Sequence, residues 1–164
     1  MTDTSTLLII WHSRTGTAQA MAQAAADAAA NECAVCLITA DEAQPDELIA
    51  AAGYLFVCPE NLASMTGAMK EFFDRCYYPA LGRIEGRPYA VMVSAGSDGQ
   101  GALRQIERIA TGWRLKRIAD SLIVCTHAQT PEEIAAPKAV GEADLGACRD
   151  MGTMFGAGLA MGIF

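Results

Sequence analysis

A chain of 164 residues is about the length of one domain, and it is long enough to bury roughly 70% of its unfolded surface without disulfide or metal staples. A net charge of −7 leaves no basic stripe to grip a phosphate polymer, which argues against a nucleic-acid partner. No charged leader with an apolar core opens the chain and no apolar run reaches the ~18 residues of a membrane span, so neither export nor a membrane span is expected.

The first element is Leu7-Leu8-Ile9-Ile10-Trp11, a continuous apolar segment that reads as a strand buried on both faces. Ala18, Met21, Ala22, Ala25 and Ala29 then recur at helical spacing. Between strand and helix lies His12-Ser13-Arg14-Thr15-Gly16-Thr17. A helix N-terminus carries unsatisfied N–H donors and a partial positive charge, so this turn is expected to hold a phosphate. A single hydroxyl would serve as a helix cap; three hydroxyls and a glycine exceed that need. A Walker loop requires a Lys followed by Ser or Thr after its second Gly, and a dinucleotide fingerprint requires three spaced glycines. Neither is present, and Thr15-Gly16-Thr17 suits a monophosphate held by neutral donors. His12 either donates to that phosphate or serves the structure, and the structural role is favoured.

Residues 34–38 form the second predicted strand, and residues 46–51 a short helical turn. Cys33-Ala34-Val35-Cys36 has the spacing of a redox or metal pair, yet strand positions three apart point to opposite faces. No metal site is expected, and the six cysteines, mostly within apolar runs, fit a reduced, cytoplasmic setting. Residues 54–58 are the third strand, ended by Pro59. Met65, Ala68, Met69, Phe72, Phe73 and Cys76 mark the apolar face of the next helix, whose other face carries Lys70 with Asp74 and Glu71 with Arg75 at i,i+4 spacing.

Gly86-Arg87-Pro88 turns the chain into a fourth strand, residues 89–94, and the loop 96–101 precedes a helix bearing Leu103, Ile106, Ala110 and Trp113. The fifth strand is predicted at 118–126. A polar connection, 127–141, leads to a last helix with Leu145, Cys148, Gly152, Phe155 and Leu159 on one face. Gly152 and Gly156 would let that apolar tail approach the sheet or a second copy closely; packing within the subunit is favoured, and a homodimer is the alternative.

Strands alternating with helices indicate one α/β domain over residues 1–164: a doubly wound, five-stranded parallel sheet in the order 2-1-3-4-5 with helices on both faces. Its ligand site lies beyond the carboxyl ends of strands one, three and four. Residues 13–17, 59–66 and 94–101 should converge there. A two-component receiver would need an Asp ending strand three, and a low-molecular-weight tyrosine phosphatase a Cys in the first loop; the chain has neither.

These residues resemble a known family. Ser13-Arg14-Thr15-Gly16-Thr17 resembles the phosphate loop of flavodoxin-like proteins. Pro59-Glu60-Asn61-Leu62-Ala63-Ser64-Met65, followed by Gly67, Lys70 and Asp74-Arg75, is similar to the second loop and helix of flavin-dependent NAD(P)H oxidoreductases, and Ala95-Gly96-Ser97 completes the set. The family pattern usually closes its phosphate loop with a hydroxyl where this chain has Ala18, leaving Thr17 to compensate.

The resemblance implies FMN. Ser13, Arg14, Thr15, Gly16, Thr17 and Ala18 would surround its phosphate. Pro59, Glu60, Asn61, Leu62, Ala63 and Ser64, with Ser94, Ala95, Gly96, Ser97 and Gly99, would surround the isoalloxazine ring. The flavin carries the chemistry, so no catalytic side chain is named. Neither ring-side loop contains an aromatic residue, unlike the enclosed ring of an electron-carrying flavodoxin. With Leu62 and Met65 on one face and small residues on the other, the ring would stay open to NAD(P)H as a transient reductant and to a quinone, flavin or similar acceptor. The expected function is therefore an NAD(P)H-dependent oxidoreductase; the alternatives are a one-electron carrier between protein partners and a non-catalytic module. Tyr77, Tyr78 and His127 are candidates to supply a missing ring-side aromatic. Glu60 and Asp98 would place negative charge near the ring; in their ordinary roles, Asp98 caps the following helix and Glu60 faces water. Asn61 has the donors and acceptors a pyrimidine edge requires.

Overall fold

In the computed structural model, which describes residues 5–164, the apolar run after the N-terminus forms strand β1 (Thr6–Trp11). Its alternating side chains feed two separate cores: Leu8 and Ile10 on one face, Leu7 and Ile9 on the other. The same division runs through β3 (Gly53–Asn61), where Tyr54, Phe56 and Cys58 oppose Leu55 and Val57, and through β5 (Pro88–Ala95), where Tyr89, Val91 and Val93 oppose Ala90 and Met92. A strand buried on both faces needs helices on both. Helices α2 (Pro45–Ala50), α3 (Gly67–Ala80) and α4 (Gln100–Gly112) cover the first face, and α1 (Thr17–Ala29) with α6 (Glu142–Met161) the second.

With β2 (Ala34–Thr39), the parallel sheet runs β2-β1-β3-β5, followed by β6 (Lys116–Arg117) and β7 (Leu122–Cys125), which both pair with β5. This is the expected doubly wound order, with the fifth strand divided. Tyr89 pairs with Arg117 and Met92 with Leu122, so three steps along β5 face five along its neighbour and two residues loop out. The interruption falls at Ala119-Asp120-Ser121, residues of low strand propensity, where Ser121 hydrogen-bonds Glu107.

Pro59 does not end the third strand, as its identity suggests it should. β1 has finished pairing at Trp11–Val57, and His12 N–H bonds Val57 O. The missing N–H of Pro59 points to that same side, so it deprives no neighbour of a ladder bond. β3 continues to Asn61 and folds back as β4 (Ser64–Met65), a hairpin pairing Glu60 with Met65 and Asn61 with Ser64. Met65, expected on the following helix and beside the flavin, is instead buried in the core between sheet and helices.

In α6, a side-chain carbon on Gly152 would stand 2.1 Å from Ala25 O, and one on Gly156 3.0 Å from Ala29 O. These two glycines are used against α1 within the chain. Cys33 and Cys36 pack toward opposite cores, as their spacing requires. Among the described residues, no helix is long and apolar enough to cross a membrane, and no three His, Cys, Asp or Glu side chains gather as a metal site.

Candidate functional site

Beyond β1 the chain turns sharply. Ser13 Oγ accepts from Gly16 N–H (3.1 Å), and Gly16 takes φ 105°, a conformation that suits glycine. α1 then starts at Thr17 with no side chain capping it. Thr17 is only 4% exposed, and its Oγ1 has no hydrogen-bond partner among the described residues. A buried hydroxyl without a partner beside uncapped helix N–H groups is a site built for an acceptor from outside the chain. Ala18 lies beneath, buried against the sheet.

His12 lies behind this loop. Its Nδ1 is 2.9 Å from Thr66 Oγ1 and so ties the loop to the start of α3. Burial pulls its pKa below the usual histidine value, with Asp41 opposing and Arg14 assisting. These contacts give His12 a structural role. Cys58, also behind the site, has its thiol pushed up to about 12 by burial, which makes it inert as a nucleophile.

The second segment is the β3–β4 hairpin. Its two-residue turn places Leu62 at φ 52° and Ala63 at φ 61°, the left-handed pair that fits strand twist but that non-glycine residues adopt reluctantly. Leu62 projects at the tip, 92% exposed. What holds the hairpin is Glu60. Its Oε1 accepts from Gly99 N–H (3.0 Å), and its Oε2 from Gly101 N–H (2.9 Å) and Ala102 N–H (3.2 Å). The carboxylate thus caps α4 from another element, and Glu60 does not simply face water. Asp98 makes one longer contact, accepting from Gln100 N–H at 3.3 Å. Gln105 Oε1 accepts from Met65 N–H (2.9 Å), and Gly101 approaches so closely that a side-chain carbon there would be 2.1 Å from Ala63 O. The second and third segments are therefore one docked unit.

A fourth segment completes the site. Thr126 and His127 donate their N–H groups to Ala95 O and Gly96 O, each at 2.8 Å. The chain then forms the short helix α5 (Pro131–Ala135) and returns to the phosphate loop, where Lys138 N–H bonds Thr15 O at 2.8 Å.

An open cleft results at the carboxyl ends of the strands. It is lined by Arg14, Thr15 and Thr17; by Pro59, Glu60 and Asn61; by Ser94, Ala95 and Gly96; and by Thr126, Ala128, Ile134 and Lys138. Of the other residues expected here, Ser13, Gly16 and Ala18 shape the first loop, Ser64 Oγ donates to Met65 O, Leu62 and Ala63 form the hairpin tip, and Ser97 and Gly99 lead into α4. Sequence reasoning missed the fourth wall, although Thr130-Pro131-Glu132-Glu133 is a recognisable helix start in the connection leaving the fifth strand at this same edge.

None of the residues lining the cleft is aromatic. Tyr77 and Tyr78 do not provide a ring within the chain. Tyr77 stacks on Trp113 (centroids 5.6 Å apart, planes 17° apart), at the end of a core series running Phe56, Phe73, Trp113, and Tyr78 packs edge-on against it. His127 is exposed at φ 58° beside Gly96.

The donor set fits a flavin monophosphate. Thr17 Oγ1 has no partner among the described residues, Gly96 brings no side chain to the cleft wall it lines, and Asn61 offers amide donor and acceptor atoms.

A family model described as NADPH-dependent FMN reductase matches residues 39–129, from the end of β2 past the end of β7. Among solved structures, a flavodoxin from the domain Archaea superposes with TM-score 0.76 at 17% identity, covering 94% of this chain and 98% of that one. Flavodoxin 1 from Bacillus cereus does so with TM-score 0.74 at 18% identity, covering 98% and 100%. A flavodiiron core from Synechocystis gives TM-score 0.77 at 19% identity, covering 98% of this chain but 37% of that one. These likenesses show a flavodoxin-like fold. Among curated proteins, none matches this sequence.

Proposed function

The chain belongs to the NADPH-dependent FMN reductase family, and from that premise we propose that it binds FMN in this cleft and works as an NAD(P)H-dependent oxidoreductase toward a quinone, flavin or similar acceptor. The observation that carries the reading is the Thr17 hydroxyl, without a partner among the described residues, at the uncapped start of α1 in a cleft that none of them lines with an aromatic ring. FMN, when bound, supplies the electron and hydride chemistry. Thr15, Thr17 and the first N–H groups of α1 hold its phosphate through charge-assisted hydrogen bonds, each worth about 1.5–3 kcal/mol. Asn61 orients the ring through its amide. Glu60, its carboxylate committed to α4, keeps the hairpin and the following loop at a constant separation. Among the described residues no aromatic side chain lines the cleft, which would leave room beside the flavin for a nicotinamide or an acceptor.

Anaerobic mixing of the FMN-loaded protein with NADPH or NADH, followed at the flavin absorbance band, tests this reading. Bleaching by either nicotinamide, with colour restored by a quinone, is the expected result. Failure of both to reduce the flavin would overturn the enzymatic reading in favour of an electron carrier.

A further inference from the structure

The segment that closes the cleft is organised from within. Thr130 Oγ1 accepts from Glu133 N–H (3.2 Å), and Glu133 Oε2 accepts from Gln129 N–H (2.8 Å) and Thr130 N–H (3.2 Å). At the other end, Lys138 Nζ donates to Ile134 O (3.1 Å) and Ala136 O (2.5 Å). These local bonds, with Pro131 and Pro137 stiffening the backbone, preform the segment. Yet α5 buries none of its residues, and Ile134 is 57% exposed. The core therefore does not explain why the segment stands where it does. Its ties run instead to the site: Lys138 N–H bonds Thr15 O, the Lys138 carbonyl lies 3.6 Å from where a side chain on Gly16 would begin, and both Ile134 and Lys138 line the cleft.

We propose that residues 130–138 form a strap that is part of the FMN site, in which Ile134 packs against the apolar body of the bound flavin and the Lys138 ammonium faces its phosphate. This rests on the FMN reading and adds two residues to it. An ammonium has three N–H groups; Lys138 commits two of them to strap carbonyls, and the third remains for an anion. A phosphate monoester carries a charge of about −1.5 to −2 near neutral pH. In a chain of net charge −7, Arg14 is the one cation that the first loop brings to the cleft, and a dianion is held better by two, the second being Lys138 from the opposite wall. Ile134, exposed on the cleft wall, would gain an apolar partner in the bound flavin.

The two residues touch different parts of the ligand, so their substitutions separate in a titration. The full chain, freed of flavin, is titrated with FMN and with riboflavin by quenching of flavin fluorescence. Lys138→Gln should weaken FMN by about tenfold and leave riboflavin within about twofold, whereas Lys138→Arg should restore most of the loss. Ile134→Asp should weaken both ligands alike, by about tenfold or more. As a readout independent of substitution, amide exchange over residues 129–138 of the wild-type chain should slow when FMN is added. Equal losses of both flavins in Lys138→Gln, unchanged affinities in Ile134→Asp, or no added protection of the strap would overturn the proposal while leaving the FMN reading intact. A wild-type chain that takes up neither flavin would overturn that reading, and the strap with it.

Discussion

Thr17→Val removes one oxygen atom and keeps the β-branched shape, and the structure predicts effects of opposite sign on the free and loaded protein. Thr17 Oγ1 is buried with no partner among the described residues, and an unsatisfied buried polar group costs about 1–3 kcal/mol. Replacing it with a methyl group should stabilise the apoprotein by about 1 kcal/mol, raising its thermal midpoint by about 2–4 °C for a domain of this size. With FMN bound, the same hydroxyl donates to a phosphate oxygen, and its loss should weaken FMN by about 1.5–3 kcal/mol, or about tenfold to a hundredfold. Riboflavin lacks the phosphate and should bind the variant as well as wild type. Thermal unfolding of the apoprotein and paired fluorescence titrations with FMN and riboflavin measure all three quantities. A lower apoprotein midpoint, or equal losses for the two flavins, would refute the placement of the phosphate at this hydroxyl.

Three further outcomes follow from the geometry. Glu60→Ala removes an acceptor serving three N–H groups at the start of α4, and with water replacing part of it the apoprotein should lose about 2 kcal/mol, a fall of about 4–8 °C in midpoint; a shift below about 1 °C would show the carboxylate is dispensable. Ala63→Gly relieves a left-handed alanine, which costs about 1–2 kcal/mol, against a glycine entropy penalty of about 0.5–1 kcal/mol, so denaturant unfolding should show a net gain of up to about 1.5 kcal/mol and not a loss. Burial lowers the pKa of His12 in the folded chain, so the unfolded chain takes up its proton first as pH falls below about 6.5. Stability should accordingly be lost from that pH down toward the lower folded pKa, and urea titrations across the range should show a shallower loss in His12→Gln; identical slopes would remove His12 from the account.

The strand order and the first loop were legible for a common reason. Runs such as 7–11 and 54–58 are apolar at every position, which makes sense only for central strands covered on both faces. Residues 13–17 lie within one turn of chain between a strand and a helix, so their convergence needs no long-range information. The fifth strand was harder to place because 118–126 has apolar residues on both sides of Ala119-Asp120-Ser121, and only pairing with β5 reveals that two residues loop out. Leu62 and Ala63 gave no turn signal, since hairpins of this type usually carry asparagine and glycine.

Glu60 and Lys138 mark the limit of sequence reading. Each looks like an ordinary surface charge, and each makes bonds worth about 1 kcal/mol apiece that many other positions could make equally well. The sheet's registry brings Glu60 to amides 39 to 42 residues away and returns Lys138 to Thr15 across the whole domain. Hydrophobic periodicity by itself determined a doubly wound sheet, and the crowding of hydroxyls after its first strand determined a place for a phosphate, because burial and helix-end polarity act over a few residues. Which distant polar groups would meet there was decided only by the tertiary structure, because such pairings depend on the positions of rigid elements and leave no periodic trace in the chain.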